Sequence, residues 1–415
     1  MPWEQLAKRR SRKFGLASGM RVFVVRFFRT ALAWKCVEIV LREAMPMLER
    51  TQQNLFRWTQ WVWPIAIGLA AAAAVLWFGA HHEVLDAESG LKTTSWELLR
   101  SFEWAQRSTW ALLGVFACVL LRDIGYIIRL RILSFQSFSW RQATENILLW
   151  ELASALTPSV VGGSAVAVLI LKRDGMRLGK SLATVFATAL LDEAFYLILV
   201  PLVFLWSLQY GHGIFPEIPA GVEVANWGIP VLFGLAYVFI ATLTMTMLFG
   251  LVLKPQATHR MLRKLAAKRI LHRWSGRLST WSDELLEASQ SMRNAPRRYW
   301  MKGFLATAAS WTARFLTLNM VLLIFYPSVA HAAVLARQLV LWLVLSVSPT
   351  PGSSGAAELG VPAFLGDLTG LAYMAGVVII WRTATYFIYL VAGAFVLPEW
   401  LMRTQRSVQK AKKQD

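Results

Sequence analysis

Thr157-Pro158-Ser159-Val160-Val161-Gly162-Gly163-Ser164-Ala165 and Thr350-Pro351-Gly352-Ser353-Ser354-Gly355-Ala356-Ala357-Glu358 read as two copies of one device. Each opens on Thr-Pro and runs through glycine and serine. Each stands between two apolar segments too short to cross a bilayer comfortably alone. Proline lacks an amide donor, and glycine-rich backbone does not hold a helix. In hydrocarbon such backbone persists only where protein or a water-filled cavity covers it. Matched interruptions in two halves of a chain point to the binding site of a carrier. Both motifs are therefore candidate site: Thr157, Pro158, Ser159, Gly162 and Gly163 in the first, and Thr350, Pro351, Ser353, Ser354, Gly355 and Glu358 in the second.

The rest of the chain is apolar enough to make hydrocarbon the right setting. Its 415 residues are 56% hydrophobic and 16% charged, against about a quarter charged in soluble domains. The fold class is an all-α polytopic membrane protein. Lys and Arg number 43 against 24 Asp and Glu, a formal charge of +19. On so apolar a chain this excess points to anionic headgroups and the positive-inside bias, not to nucleic acid. Cys36 lies in a basic segment and Cys118 in a span, an unfavourable setting for a disulfide. The 6 His are scattered apart from His81-His82, without metal-ligand spacing, and no cofactor is expected. No clean apolar run follows Lys8 to Lys13, so no cleavable signal is expected.

Runs of about 20 apolar residues, the length of a spanning helix, fall near 62–80, 109–130, 180–207, 229–253, 303–326 and 371–397. Two further stretches, 141–171 and 332–366, are split by the repeated motif and read as re-entrant helical hairpins. Residues 1–61 form a basic amphipathic segment, as a helix lying in the interface plane or packed on the rest of the protein. Residues 62–108 hold the first span and an external segment. Residues 109–253 are one repeat half and 303–397 the other. Between them 254–302 is a basic cytoplasmic loop, and 398–415 a basic cytoplasmic tail. Met261 to Leu286 is amphipathic, either resting on an anionic leaflet or carrying ordinary positive-inside charge.

Lys and Arg set the orientation. The loop 208–228 has Glu217 and Glu223 and no Lys or Arg, whereas 254–302 is dense in both. Six spans with both termini cytoplasmic, in a bacterial-type inner membrane, satisfy these biases. Arg129 and Arg131 before the first hairpin, and Lys172, Arg173, Arg177 and Lys180 after it, bring that hairpin in from the cytoplasm. The second holds only Arg337 and enters from outside. Span, hairpin, span thus occurs twice with opposite polarity, an inverted repeat. Arg122 and Arg314 precede the two motifs by similar intervals. Asp192-Glu193-Ala194-Phe195-Tyr196 follows the first as Arg382-Thr383-Ala384-Thr385-Tyr386 follows the second.

These motifs resemble the lysylphosphatidylglycerol synthase transmembrane, or flippase-like, family over about residues 109–397. Pro349-Thr350-Pro351-Gly352-Ser353-Ser354-Gly355-Ala356-Ala357-Glu358 is similar to that family's Pro-x-Pro-Gly-x-x-Gly-x-x-Glu. Asn146, Thr157-Pro158, Gly162-Gly163 and Leu190-Leu191-Asp192 fit its looser first motif. Ser164 stands where that family often has Glu, and Thr188-Ala189 where it often has Glu-Arg. The resemblance implies movement of a lipid between leaflets, and handling rather than synthesis of that lipid.

Charges within the apolar segments complete the candidate site, because ionisable groups at membrane depth are costly and usually functional. Glu151 lies in the first hairpin; Asp192, Arg314 and Arg382 lie in spans, with Tyr386 one turn beyond Arg382. Arg382 is expected to hold a phosphate and Glu358 an amine of a zwitterionic or cationic headgroup. Each has an alternative as a member of a buried ion pair or, for Glu358, as a helix cap. Ser159, Ser164, Ser353 and Ser354 are phosphate donors at half-helix N-termini, not nucleophiles, since no His is near in sequence. Glu145 reads as interfacial and Arg122-Asp123 as an internal pair. The expected function is a non-enzymatic transporter of an anionic or zwitterionic membrane lipid, with a separate synthase as a candidate partner. A non-transporting scaffold and an enzyme acting on a lipid-linked substrate are the alternatives.

Overall fold

The computed structural model describes residues 83–85, 92–157, 159–210, 223–267, 275–346 and 352–411, with isolated residues elsewhere. The basic segment 1–61 and most of the first expected span, 62–80, lie outside them. A short antiparallel ladder, β1 (Glu83–Leu85) on β2 (Lys92–Thr94), leads into α1 (Ser95–Arg100). The chain is helical from there on. It runs through α2 (Gln106–Leu133), α3 (Trp140–Leu156), α4 (Ser159–Arg173), α5 (Leu178–Tyr210), α6 (Glu223–Met247), α7 (Pro255–Ala266) and α8 (Ser275–Asn294). After these come α9 (Arg297–Phe325), α10 (His331–Ser346), α11 (Ala356–Thr369), α12 (Met374–Arg382) and α13 (Ile388–Ala411). Turns of π-helix, Leu248–Leu253 and Thr383–Phe387, extend α6 and join α12 to α13.

Among the described residues, five helical stretches are long and apolar enough to cross a membrane: Gln106–Leu133, Leu178–Trp206, Phe233–Leu253, Arg297–Phe325 and Met374–Gln405. These coincide with five of the six expected spans. Their outward faces carry large apolar side chains, among them Phe116, Leu205, Leu235, Phe239 and Phe395, all more than half exposed. Apolar surface on this scale is a lipid-facing surface. The last span does not stop near residue 397, as expected, but continues through Pro398 to Ala411, so part of the basic tail is helix.

The chain clusters into two compact units, residues 1–57 with 259–280 and residues 58–258 with 281–415. Everything that follows lies in the second.

The closest packing joins α2 to α9, antiparallel along their whole length. Ser108 Oγ donates to the Ile324 carbonyl (2.8 Å) at one end, and Tyr299 Oη to the Leu133 carbonyl (3.2 Å) at the other. Midway, a Cβ on Gly125 would stand 2.2 Å from Ser310 Oγ and 2.9 Å from the Ala306 carbonyl. Small residues let these two backbones approach, the usual device where hydrocarbon gives no hydrophobic drive between helices.

Both split stretches form helix–break–helix hairpins, over 140–173 and 331–369. Their arms of 14 to 17 residues are about 21–26 Å long at 1.5 Å per residue, short of a bilayer core. Ser139 opens α3 with a capping box: its hydroxyl accepts from the Gln142 amide, and the Gln142 side chain accepts in return. The arm ends at Thr157, whose extended backbone (φ −100°, ψ 143°) is the conformation that a following proline selects. The second break turns instead on left-handed backbone at Gly352 (φ 54°), Ser353 (φ 55°) and Gly355 (φ 83°).

Candidate functional site

The two breaks meet at one cavity of about 290 Å³. A Cβ on Gly352 would lie 3.0 Å from the Ala155 carbonyl and 2.2 Å from Cε2 of Tyr386, so only glycine fits where the hairpins touch. Tyr386 ties the same point, donating to the Ala155 carbonyl (3.3 Å). The turn of π-helix carries Tyr386 and Thr385 on to the cavity wall, a placement in keeping with the frequent occurrence of π-bulges at functional sites.

Of the residues singled out from sequence, Glu151, Thr157, Asp192, Arg314, Ser353, Arg382 and Tyr386 line this cavity, as does Ser164. Gly162 and Gly163 stand behind it, packed on Thr157 and Ser154 of the facing arm. Pro158 and Pro351 lie outside the described residues, and so does the side chain of Ser159. The Thr350 carbonyl accepts from the Ser353 amide (3.0 Å). Ser354 and Gly355 are spent on their own hairpin, through Arg382 and Glu358.

Glu358 corrects an expectation. It is fully buried, off the cavity, and both its oxygens are engaged: Oε1 accepts from Arg382 Nε (2.8 Å) and Oε2 from the Gly355 amide (2.7 Å). It caps α11 and holds Arg382, and it has no free oxygen for an amine. Arg382 in turn donates to Ser354 Oγ (3.1 Å) and the Gly352 carbonyl (3.3 Å), and stacks over Tyr386 at 4.1 Å. Its guanidinium shapes the break as much as it faces the cavity.

The other charges fall into pairs as well, with one exception. Asp192 accepts from Arg129 and from the Trp311 indole (2.6 Å). Arg129 also donates to Thr307 Oγ1 (3.3 Å) and is buried. It is therefore not a surface charge flanking the first hairpin, as its position before that hairpin suggested. Glu151 lies 2.5 Å from Arg122. That contact is not aligned as a hydrogen bond, and none of the Arg122 nitrogens finds a partner in hydrogen-bond geometry. Arg122 is held by charge, with Asp123 at 3.8 Å, and by the ring faces of Tyr389 (4.6 Å) and Tyr126 (5.3 Å). Asp123 accepts from the Tyr389 hydroxyl at 2.9 Å.

Arg314 is the exception. Its contacts are a long hydrogen bond to the Tyr126 hydroxyl (3.4 Å) and the Trp311 face at 5.3 Å. Among the described residues it is the cavity guanidinium with no carboxylate at ion-pair distance. It stands half-buried on the wall, where a guanidinium binds anions through paired charge-assisted hydrogen bonds.

Sequence reading missed Tyr126, Arg129, Trp311, Trp342, Gln338 and Tyr389, all on the cavity wall. A signal existed. Arg122, Tyr126 and Arg129 fall at i, i+4 and i+7, and Trp311, Arg314 and Phe315 at i, i+3 and i+4. Each set makes a polar or aromatic stripe on one face of a span.

The model of the lysylphosphatidylglycerol synthase TM region matches residues 61–393 of the chain. A UPF0104 membrane protein of Archaeoglobus fulgidus is 24% identical over 317 residues, 76% of this chain and 90% of that protein. With the apolar helices, these matches make the protein a multi-pass membrane protein. The chain belongs to the lysylphosphatidylglycerol synthase transmembrane family.

Proposed function

We propose that the protein is a carrier that moves an amphiphile with an anionic or zwitterionic headgroup between the leaflets of the membrane. The observation that carries this reading is Arg314, a cavity cation with no carboxylate at ion-pair distance among the described residues. A half-buried guanidinium with most of its donors unspent suits an anion through paired charge-assisted hydrogen bonds. A cavity of about 290 Å³ lies at the small end of ligand pockets. It suits a headgroup whose acyl chains stay in lipid. Ser353, Ser164 and Thr157 add hydroxyls around it.

The antiparallel packing of α2 on α9 supports an inverted repeat, because each opens its half and leads into a hairpin. An axis in the membrane plane relates such halves, and rocking of one against the other gives alternating access. In this reading the hairpins are re-entrant from opposite faces. Both termini and 254–302 are cytoplasmic, the membrane is the inner one, and a synthase supplies the lipid.

The scaffold reading draws on the pairing of the other cavity charges, and one experiment separates the two. Short-chain phosphatidylglycerol should raise the melting temperature of the purified protein more than a short-chain diacylglycerol without phosphate does, and Arg314→Ala should remove the difference. A hydrogen bond to a charged group is worth about 1.5–3 kcal/mol, a tenfold or larger loss of affinity. Equal shifts for both lipids in the wild type would favour the scaffold.

A further inference from the structure

Glu193 plays no part in the site as described, and among the described residues it is the carboxyl with a buried oxygen that has neither a hydrogen bond nor a cation; Glu145 Oε2 has Arg403 at 2.7 Å. It sits near the middle of the apolar span Leu178–Trp206. Its Oε2 is buried and has no hydrogen-bond partner. The other four carboxylates of this region each have a donor or a cation: Asp123 has Tyr389, Glu151 has Arg122, Asp192 has Arg129 and Glu358 has Arg382.

The polar groups of its own helix and of the helices packed on it are already committed. On its own helix, Asp192 is the adjacent residue and adds a like charge, and the Tyr196 hydroxyl donates to the Leu339 carbonyl (2.6 Å) on α10. From α2, Arg129 is engaged by Asp192. From α6, the Tyr237 hydroxyl donates to the Leu197 carbonyl (3.0 Å). From α9, the Trp311 indole also goes to Asp192. No cation reaches Glu193 at ion-pair distance among the described residues. An ionised carboxylate without a partner is strongly disfavoured in such surroundings, and a proton removes the charge.

We propose that Glu193 is a proton-binding site that couples transport to a proton gradient. The inference rests on the carrier reading above. Asp192 supplies the link. An anionic headgroup in the cavity competes with Asp192 for Arg129. The negative charge so freed lies next to Glu193 and favours its proton. Anion binding and proton binding then strengthen one another, and by thermodynamic reciprocity each carries the other. The step balances: the Glu193 carboxylate takes a proton from water entering from one side and returns it to water on the other when the cavity reopens. No covalent bond to the lipid forms or breaks.

Infrared spectroscopy of the purified full chain tests the proton site without any transport. The wild type should show the carbonyl stretch of a protonated carboxyl, lost as the pH is raised. That band should be absent in Glu193→Gln and should shift in wild type labelled with 13C-glutamate. A band that persists in Glu193→Gln, or that ignores the label, overturns the proposal. Should Glu193→Gln fail to fold, Glu193→Asp keeps a carboxyl, and its band should shift with 13C-aspartate instead.

Calorimetry tests the coupling. Binding of short-chain phosphatidylglycerol is measured in two buffers of different ionisation heat, at the pH where half of the infrared band is lost and Glu193 can still take up a proton. Proton uptake in the wild type and none in Glu193→Gln is expected; equal uptake in both overturns the coupling. A wild type that shows the band but binds no lipid would overturn the carrier reading instead, and leave Glu193 a proton site.

Discussion

The two hairpins share a plan and are fastened in opposite ways. The second is fastened within itself and in its own half. Arg337 makes a bidentate pair with Asp367 across its two arms (2.8 and 2.8 Å) and also donates to the Phe364 carbonyl (2.9 Å). Glu358 and Arg382 lock its break to the following helix at 2.8 Å. The first hairpin has no ion pair across its two arms among the described residues, although Glu151 of its first arm meets the buried Arg122 of α2. It is fastened at its open end, to the continuation of α13. Arg403 binds Glu145 of one arm and Asp174 beyond the other, each at 2.7 Å, and Arg141 bridges Glu145 (2.8 Å) and Glu399 (2.5 Å). Arg141 and Glu399 are two-thirds exposed, whereas Arg403 is half-buried against the buried Asp174 and the largely buried Glu145. Exposed pairs contribute little and exchange readily, whereas buried pairs are costly to break. The contrast gives the second hairpin pairs built on the buried Arg337 and Arg382, and gives the first an exposed pair at its open end beside the Arg403 contacts.

The largest effect is expected where the second hairpin is locked. Glu358→Ala strands the buried Arg382 guanidinium, a loss of about 3–5 kcal/mol, read as a large drop in melting temperature and in folded yield. Arg382→Ala should match it, and Arg382→Lys should recover only part, because an ammonium cannot reproduce the fork that reaches Glu358, Ser354 and the Gly352 carbonyl. A mild effect of Glu358→Ala would mean that the second hairpin is not locked in this way.

Arg337→Ala comes next. It removes charged hydrogen bonds worth about 1.5–3 kcal/mol and should loosen the second hairpin alone. Hydrogen exchange would rise in 331–369 and stay unchanged in 140–173. A rise shared by both hairpins would break the comparison.

The smallest change in stability belongs to Arg141→Ala, about 1 kcal/mol or less; Arg403→Ala falls between it and Arg337→Ala, because it strands Glu145 and the buried Asp174. Exchange in 140–173 should rise in Arg403→Ala, because the fastening at the open end is gone. Protection that survives there would show the first hairpin to be held by its apolar contacts instead, among them Tyr126, Leu130, Ala143, Ile147 and Leu171.

The fold was legible where composition and punctuation act alone. Five spans and both hairpins fall where apolar length, Thr-Pro and glycine put them. The cavity was legible in part. Glu151, Asp192, Arg314 and Arg382 stand out because charge in an apolar run has few structural reasons to be there. Which of them is paired is a property of the packed bundle. Arg129 read as a flanking charge because it is near a helix end in sequence, yet packing of α2 on α5 and α9 buries it against Asp192 and Thr307. Glu358 read as a ligand because no sequence rule says that Arg382 lies over it. The aromatic wall of Trp311 and Trp342, 5.0 Å apart, was hidden among 20 tryptophans that otherwise suit a membrane interface.

Lipid movement per folded molecule tests the central claim most directly. Wild type and Arg314→Ala are reconstituted in vesicles of phosphatidylcholine with labelled phosphatidylglycerol, and the label reaching the far leaflet is followed. The account predicts transfer by the wild type, and at least a tenfold slower transfer by Arg314→Ala with an unchanged melting temperature. Equal transfer by both variants, or none by the wild type above protein-free vesicles, would contradict it.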